Sequence, residues 1–505
     1  MSNTARRARD FGPEQLSELV MRRQQGRGRR PEPAGVEPEI QRRGATSVPL
    51  SFAQRRLWRL NQLEPGSPAY NLASPLRLRG ALAPDLLAGC LSEVARRHES
   101  MRTRFETRGG DPVQVISPPA ELPLPLIDLS GLPEAAREPE GWRLARLAAA
   151  APFDLARGPL VRAHLLRLGG EDHLLLICMH HVISDGWSMG VLLRELSVLY
   201  HAAAAGRPSP LEELPIQYAD YALWQRERLQ DPALQEQLAY WRRQLQGAPA
   251  ALELPADRPR PTVQGHRGEH LPLRIPAGLA AGLRELSRHR RATLFMTLLA
   301  AYKVVLQRWS GQDDVMVGSP HAGRQRLETE GLIGCFLSHF VLRTDLSGSP
   351  GFLTLLERVR ETVLGAHRHP DVASERLLEE LQVERQLSRA PLFQVTFNMI
   401  TLPEMSLQLP GLRVEPLGAP GTPAKLDLAL CVEERRGEIS CDLIYDAALF
   451  GRARMEAFLA QYLYVLEQVA VAPETPIAAL SLVRGARGAG LPLPAIFESP
   501  AGGKS

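Results

Sequence analysis

The sequence predicts an α/β protein with a sheet in each half of a long chain. Helical segments alternate with short apolar strands through residues 46–480. At 505 residues the chain is too long for one ordinary core. A proline-rich stretch, "LELPADRPRPTVQG" (252–265), interrupts the body near its middle.

Residues 1–45 read as a flexible, arginine-rich leader, with ten arginines against six acids. Within it "PEQLSELVMRRQQ" (13–25) puts Leu16, Leu19 and Val20 on one helical face, a candidate docking segment weighed against a plain frayed leader. "GRGRRPEPAGVEPE" then breaks any structure. In the body, "DLLAGCLSEVARRHES" (85–100) predicts an amphipathic helix and "HLLLICMHHVI" (173–183) a buried strand. "SMGVLLRELSVLYHAAAAG" (188–206) predicts a helix closed by glycine. Beyond the proline-rich stretch come helices near 277–290 and 293–309, then strands at 313–320 and 334–346. A helix at 351–366, a strand at 391–400, a hairpin at 426–446 and a helix at 450–471 complete the body. Residues 481–505 read as a disordered tail.

Composition removes several function classes. The net charge of +4 resides entirely in the leader, because residues 46–505 balance fifty bases with fifty acids. A nucleic-acid partner would require a basic stripe on the body, so none is expected. Three lysines (303, 425, 504) accompany fifty-seven arginines, which reads as compositional bias. The most apolar run, "ATLFMTLLAAYKVVL" (292–306), is short and contains Lys303, so no membrane partner is expected. The N-terminus lacks a signal-peptide core, and a cytoplasmic location follows as an expectation. Five cysteines (90, 178, 335, 431, 441) form no CxxC pair, which suits free thiols in a reducing compartment. Cys178, inside an apolar run, reads as a buried structural thiol.

"MHHVISDGWS" (179–188) holds the densest chemistry. Side chains alternate along a strand, so only one of His180 and His181 is expected to face a cavity while the other belongs to the fold. Asp185 stands where it can cap the following helix, and Gly186 permits close backbone approach. Metal binding through His181 and Asp185 lacks a third ligand at a characteristic spacing, so no metal is expected. "GWSMG" (186–190) satisfies G-x-S-x-G, with Ser188 as the nucleophile of a serine hydrolase or thioesterase. Acyl transfer needs one imidazole, to orient an attacking amine or take its proton while the two substrates are held together. An acyl-CoA-dependent HxxxD acyltransferase is a further form of that reading.

Seven blocks in order decide for acyl transfer. "MHHVISDGWS" resembles the HHxxxDG signature of nonribosomal peptide synthetase condensation domains. "SFAQRRLWRL" (51–60), "RHESMRTRF" (97–105) and "YADYALW" (218–224) are similar to further blocks of that family. So are "IGCFLSHFVLR" (333–343), "HPDVASERL" (369–377) and "RAPLFQVTFN" (389–398). The resemblance implies two chloramphenicol-acetyltransferase-like lobes, 46–220 and 221–480, forming a V-shaped pseudo-dimer around a central tunnel. It implies His181 as the catalytic group and His180 as its supporting neighbour. Asp185 would be structural and paired with an arginine, for which Arg102 is the candidate. Gly186 would leave room for a pantetheine arm. Candidate tunnel-lining residues are Trp187, Ser188, Ser319, Ser338, His339 and Asn398. The resemblance also implies no intrinsically bound cofactor, substrates delivered on 4'-phosphopantetheine arms of a donor carrier protein and of an acceptor carrier (a free acceptor being the alternative), and a monomeric chain. "HHVISDGWS" looks like the condensation rather than the epimerisation type, and the Dx4D pattern of cyclisation domains is missing. Ser338-His339 stands where the family usually shows Asn-Thr, and Ala373-Ser374 replaces its common Pro-Phe. For His339 an ordinary strand position is the favoured reading. No adenylation-type phosphate loop is seen, and the chain is expected to act on carriers in trans, stand-alone or excised from a larger synthetase.

Overall fold

The structure, a computed structural model, describes residues 39–484 except 382–385, 387, 401–406, 419, 420, 422 and 436. The leader face at 13–25 and the tail beyond 484 lie outside the described residues. The first half runs β1 (Ser47–Pro49), α1 (Phe52–Leu63), β2 (Asn71–Arg79), α2 (Pro84–Arg97), β3 (Thr103–Arg108) and β4 (Asp111–Ile116). It continues β5 (Leu126–Asp128), α3 (Glu134–Ala150), β6 (Val161–Gly169), β7 (Asp172–His180) and α4 (Gly186–Ala204). A five-stranded sheet, ordered β2-β7-β6-β5 with a further strand outside β2, forms its centre. Strand β7 is buried on both faces. Leu175 and Ile177 pack toward α2 and α4, while Leu174 and Leu176 pack toward α3. That double burial explains an uninterrupted apolar run instead of an alternating one.

The second half begins with α5 (Tyr218–Glu227), α6 (Pro232–Leu245), β8 (Gly268–Ile275), α7 (Ala277–His289) and α8 (Leu294–Ser310). Next come β9 (Asp314–His321), β10 (Ser338–Asp345), α9 (Phe352–Arg368), α10 (Ser374–Glu380) and β11 (Val395–Ile400). It ends with β12 (Arg413–Pro416), β13 (Leu428–Arg435), β14 (Glu438–Asp446) and α11 (Arg452–Val471). A six-stranded sheet, ordered β10-β9-β11-β13-β14-β8, carries α7, α8, α9 and α11 on one face. Along β11 and β13, Val395, Phe397, Leu428, Leu430 and Val432 enter that helical core. The alternate residues Thr396, Asn398, Ala429 and Cys431 face the other way, onto a cavity between the halves. The central helix α8 is buried on all sides, started by the Thr293 cap (Met296 N to Oγ1, 3.2 Å) and stopped at Gly311 with φ 70°. Lys303, fully buried in α8, directs Nζ at Val315 O (3.1 Å), Leu342 O (2.6 Å) and Thr344 Oγ1 (3.0 Å). No helix among the described residues is long and apolar enough to cross a membrane.

The chain crosses between the halves. Strand β12 pairs antiparallel with β2, from Arg413 opposite Arg79 to Pro416 opposite Leu76, and completes the first sheet. Leu407 and Leu409 enter the core beneath it.

Three expectations need correction. Residues 39–45 are not a free leader: Ile40 is buried with Ile216, Tyr218 and Phe336, and Arg43 N donates to Asp220 Oδ1 at 2.8 Å. Residues 481–484 are likewise docked, with Ser481 N bonded to Gln468 Oε1 (2.9 Å) and Arg484 paired with Glu467 (2.6 Å). The strand expected from 334 starts at Ser338, because side chains of the first half claim the backbone of 333–336.

Candidate active site

Strand β7 ends at His180, and His181–Ile183 form a single 3-10 turn where the apolar run predicted a continued strand. The His180 side chain causes the stop, since its Nδ1 accepts from Val182 N at 3.1 Å and caps the turn. Both imidazoles border the cavity, whose volume is about 1090 Å³ and whose walls come from both halves. The expectation that only one of them would face a cavity is therefore not met. His180 stands edge-on to Phe153, with centroids 6.1 Å apart.

His181 directs Nδ1 at Ser184 O, 2.8 Å away. A carbonyl only accepts, so Nδ1 carries the hydrogen and Nε2 keeps its lone pair. Burial first, then the nearby Lys425 charge, lowers the His181 pKa to about 4, with Asp185 opposing both. Burial first, then the neighbouring His181, lowers His180 to about 3. At neutral pH both rings are uncharged. Cys335 Sγ lies 3.8 Å from His181 Nδ1, and burial pushes its thiol well above the ordinary range.

Asp185 sits outside hydrogen-bond reach of Arg102, contrary to expectation. Arg102 turns away, donating to Ser117 O and lying 3.6 Å from Glu99. The partner is Arg324, from the loop after β9, whose Nη2 is 3.2 Å from Asp185 Oδ1. Asp185 Oδ1 also accepts from Ser188 N (2.8 Å) and lies 2.7 Å from Ser188 Oγ, while Oδ2 accepts from Phe336 N (3.0 Å). The arginine's cation faces the Phe336 ring at 4.0 Å, and Nη1 donates to Leu332 O at 2.9 Å. One buried carboxylate thus caps α4 and clamps the two halves together.

Ser188 belongs to this clamp and does not reach the cavity. Its fully buried Oγ lies 2.9 Å from Gly334 O and accepts from Gly334 N and Arg324 Nη2, both at 3.0 Å. The G-x-S-x-G reading therefore fails on position: every lone pair and the one proton of this hydroxyl are engaged. Ser338 also leaves the candidate lining. As neighbour to His339 on β10 it points to the opposite side, bordering a void of about 60 Å³.

Gly186, Trp187, Ser319, His339 and Asn398 do border the main cavity. Trp187 is oriented by its Nε1 bond to Glu330 O at 2.8 Å. His339, favoured above as a plain strand residue, lines the cavity beside Phe393 with centroids 5.7 Å apart. Burial holds it neutral, and its buried Nδ1 has no hydrogen-bond partner. Sequence reasoning does not single out Arg324, Cys335, Arg56, Tyr70 or Lys425 as site residues. Arg56 does stand in the quoted block "SFAQRRLWRL", and Cys335 in "IGCFLSHFVLR". Among the described residues no cluster of three or more His, Cys, Asp or Glu could hold a metal.

Two sheet-and-helix lobes with a buried, neutral histidine between them define a two-lobed α/β fold of the chloramphenicol-acetyltransferase type. The Condensation domain model matches residues 45–491, and the chain belongs to that family. It is 47% identical over 438 residues to one of the linear gramicidin synthase proteins of Brevibacillus parabrevis, covering 86% of this chain and 6% of that protein. It is 45% identical over 439 residues to chondramide synthase cmdD of Chondromyces crocatus, covering 87% of this chain and 11% of that protein. The chain thus spans only a small part of the length of these relatives. Among solved structures, the X-domain from teicoplanin biosynthesis superposes with a TM-score of 0.82 at 32% identity, covering 88% of this chain and all of that one.

Proposed function

We propose that this chain forms an amide bond by acyl transfer: an acceptor amine attacks a donor acyl thioester held on a carrier protein's phosphopantetheine arm. One observation carries the reading. His181 presents a neutral imidazole, with Nδ1 tied to a carbonyl, in a cavity wide enough for two substrates. The amine nitrogen adds to the thioester carbon, and the carbonyl π electrons move to oxygen. His181 Nε2 takes the proton released from nitrogen. Collapse of the adduct re-forms the carbonyl and breaks the carbon–sulfur bond. The departing thiolate recovers the proton from the imidazolium, so the enzyme ends unchanged. An acceptor hydroxyl would give an ester by the same steps. Asp185 and Arg324 act here as structure, holding the turn that positions His181.

The partners in this reading are a donor carrier and an acceptor carrier or free amine. Intact mass spectrometry of candidate carriers, incubated with the chain and a loaded donor, tests it. The condensed product should form with wild-type protein and fall roughly 10²–10⁴-fold with His181→Ala, the usual loss for a general acid–base group. Equal product from both proteins would remove His181 from the chemistry. Hydrolysed donor in place of condensed product would turn the reading toward a thioesterase.

A further inference from the structure

Lys425 is one of three lysines in a chain with fifty-seven arginines. It stands on the cavity wall just before β13. Its ammonium lies 5.1 Å from the centroid of the Tyr70 ring. The backbone that carries it is pinned, with Gln264 Nε2 donating to Lys425 O (3.2 Å) and His266 Nδ1 at 3.2 Å from Ala424 O. Five acidic residues also border the cavity: Asp185, bound in the clamp above, Glu330, and Glu64, Glu375 and Glu379, of which the last three meet other cations. Glu64 meets His266 Nε2 at 2.9 Å, Glu375 meets Arg56 at 3.4 Å and Glu379 meets Arg59 at 3.7 Å. Among the described residues Lys425 has no ion-pair partner.

The groups around it make that charge more conspicuous. Arg56 from α1 is a second cation, His180 and His181 come from the end of β7, His339 from β10 and the Cys335 thiol from the segment before it. Burial and the Arg56 charge lower Lys425 to about 8. After burial, Lys425 exerts the largest electrostatic influence on His181, exceeding Asp185. A cation that shares a cavity with a base opposes protonation of that base unless negative charge arises nearby. Addition of an amine to a thioester creates that charge, on the former carbonyl oxygen, at the moment the base takes its proton.

We infer that Lys425 is the electrophilic partner of His181, its ammonium facing the oxyanion of the tetrahedral adduct. This rests on the acyl-transfer reading above. The ammonium keeps its proton throughout: it stabilises the oxyanion as the bond forms and is released as the carbonyl re-forms. A preorganised charge in a desolvated cavity is the type of group that lowers such a barrier most. A compact ammonium also leaves more room for substrate than the guanidinium this chain uses almost everywhere else.

The test compares Lys425→Met, Lys425→Gln and Lys425→Arg with wild type, all first shown to melt at similar temperatures. On carrier-loaded donors, both neutral variants should lose roughly 10²–10³ in kcat with little change in KM. The loss should be the same for substrates with and without a carboxylate. The wild-type rate should decline above pH of about 8 as the ammonium deprotonates, whereas Lys425→Arg, if it retains activity, should stay level there. A neutral variant within twofold of wild type overturns the assignment. So does a loss confined to KM and to carboxylate-bearing substrates, which would make Lys425 a carboxylate subsite. The His181 titration followed by NMR without substrate separates this inference from the reading beneath it. Lys425→Met should raise the His181 pKa even if no carrier tried supports turnover, and an unmoved titration overturns the pairing. Absence of wild-type condensation with a raised His181 pKa would instead count against the acyl-transfer reading alone.

Discussion

Asp185 satisfies three donors from three places in the chain: the start of α4, the backbone at Phe336 and the guanidinium of Arg324. Removing either member of a buried pair strands the other. Asp185→Ala and Arg324→Ala should therefore each cost about 3–5 kcal/mol of stability, read by urea unfolding. Because they remove one interaction, the double variant should cost less than their sum. Arg102→Ala should cost no more than about 1 kcal/mol, since it breaks a partly exposed contact. Full additivity, or equal damage from Arg102→Ala, would break this assignment. Ser188 follows the same logic. Ser188→Ala should cost about 1–3 kcal/mol by leaving Gly334 and Arg324 short of a partner, and the native protein should resist fluorophosphonate labelling. Labelling at Ser188 would restore the hydrolase reading. Of these residues, His181 and Asp185 were legible because they lie in one short string with a strand before and a helix after. Arg324 was not, since a contact across 139 positions leaves no period or spacing to read.

The segment before β10 shows how an element can be shortened by another element's side chains. An apolar run from 334 predicts a strand, yet Gly334 bonds Ser188 through both N and O, Tyr218 donates to Cys335 O at 2.6 Å and Phe336 N goes to Asp185. His98 Nδ1 accepts from Ile333 N at 3.2 Å, and Ser100 donates to Ile333 O at 2.7 Å. These backbone groups are satisfied, so no ladder is needed to compensate their burial. Nothing in local propensity could reveal that, because the partners lie far away in the chain. The glycine is required by contact: a Cβ on Gly334 would meet Tyr218 Cδ2 at 2.0 Å. Gly334→Ala should cost about 1–3 kcal/mol by overpacking, measured as a lowered thermal midpoint. In a Tyr218→Leu background, which has already lost the bond to Cys335 O, the same Gly334→Ala change should cost less than it does in wild type. An undiminished cost there would mean that the ring is not what the methyl strikes.

At the scale of the whole molecule, the α/β architecture with a large sheet in each half was legible because the core elements are local and strongly patterned, β7 and α8 above all; the small third sheet of β1, β4 and β3 was not. The exchange of β12 into the first sheet was not, since a four-residue strand with its partner more than three hundred positions away carries no local mark. Both lobes also carry partly or fully buried histidines that have no ion-pair partner among the described residues. His164 and His173 in the first sheet have pKa values lowered chiefly by burial, as do His180, His181 and, in the second lobe, His339. The sign follows from proton counting. Above about pH 6.5 these rings are neutral folded or unfolded, so they add no pH dependence. As pH falls below that value, the unfolded chain binds protons that the folded one refuses, and folding stability declines. The decline continues toward pH of about 4 for His181 and about 3 for His180, their folded values. Each histidine contributes a slope of at most about 1.4 kcal/mol per pH unit. Lys425, its pKa lowered to about 8, and the fully buried Lys303, lowered to about 7, add a slope of the same sign at higher pH. Urea midpoints should therefore decline gently from about pH 8 to 7 and keep falling from about pH 6.5 to 5, before most carboxylates titrate. His164 and His173 each have a buried Nδ1 without a hydrogen-bond partner, so they can be changed with least collateral loss. The variant carrying His164→Gln and His173→Gln should show a shallower fall across that interval. A wild-type midpoint that holds level or rises between about pH 7 and 5 would mean that these imidazoles accept protons in the folded protein, and the neutral state assigned to His181 would fall with it.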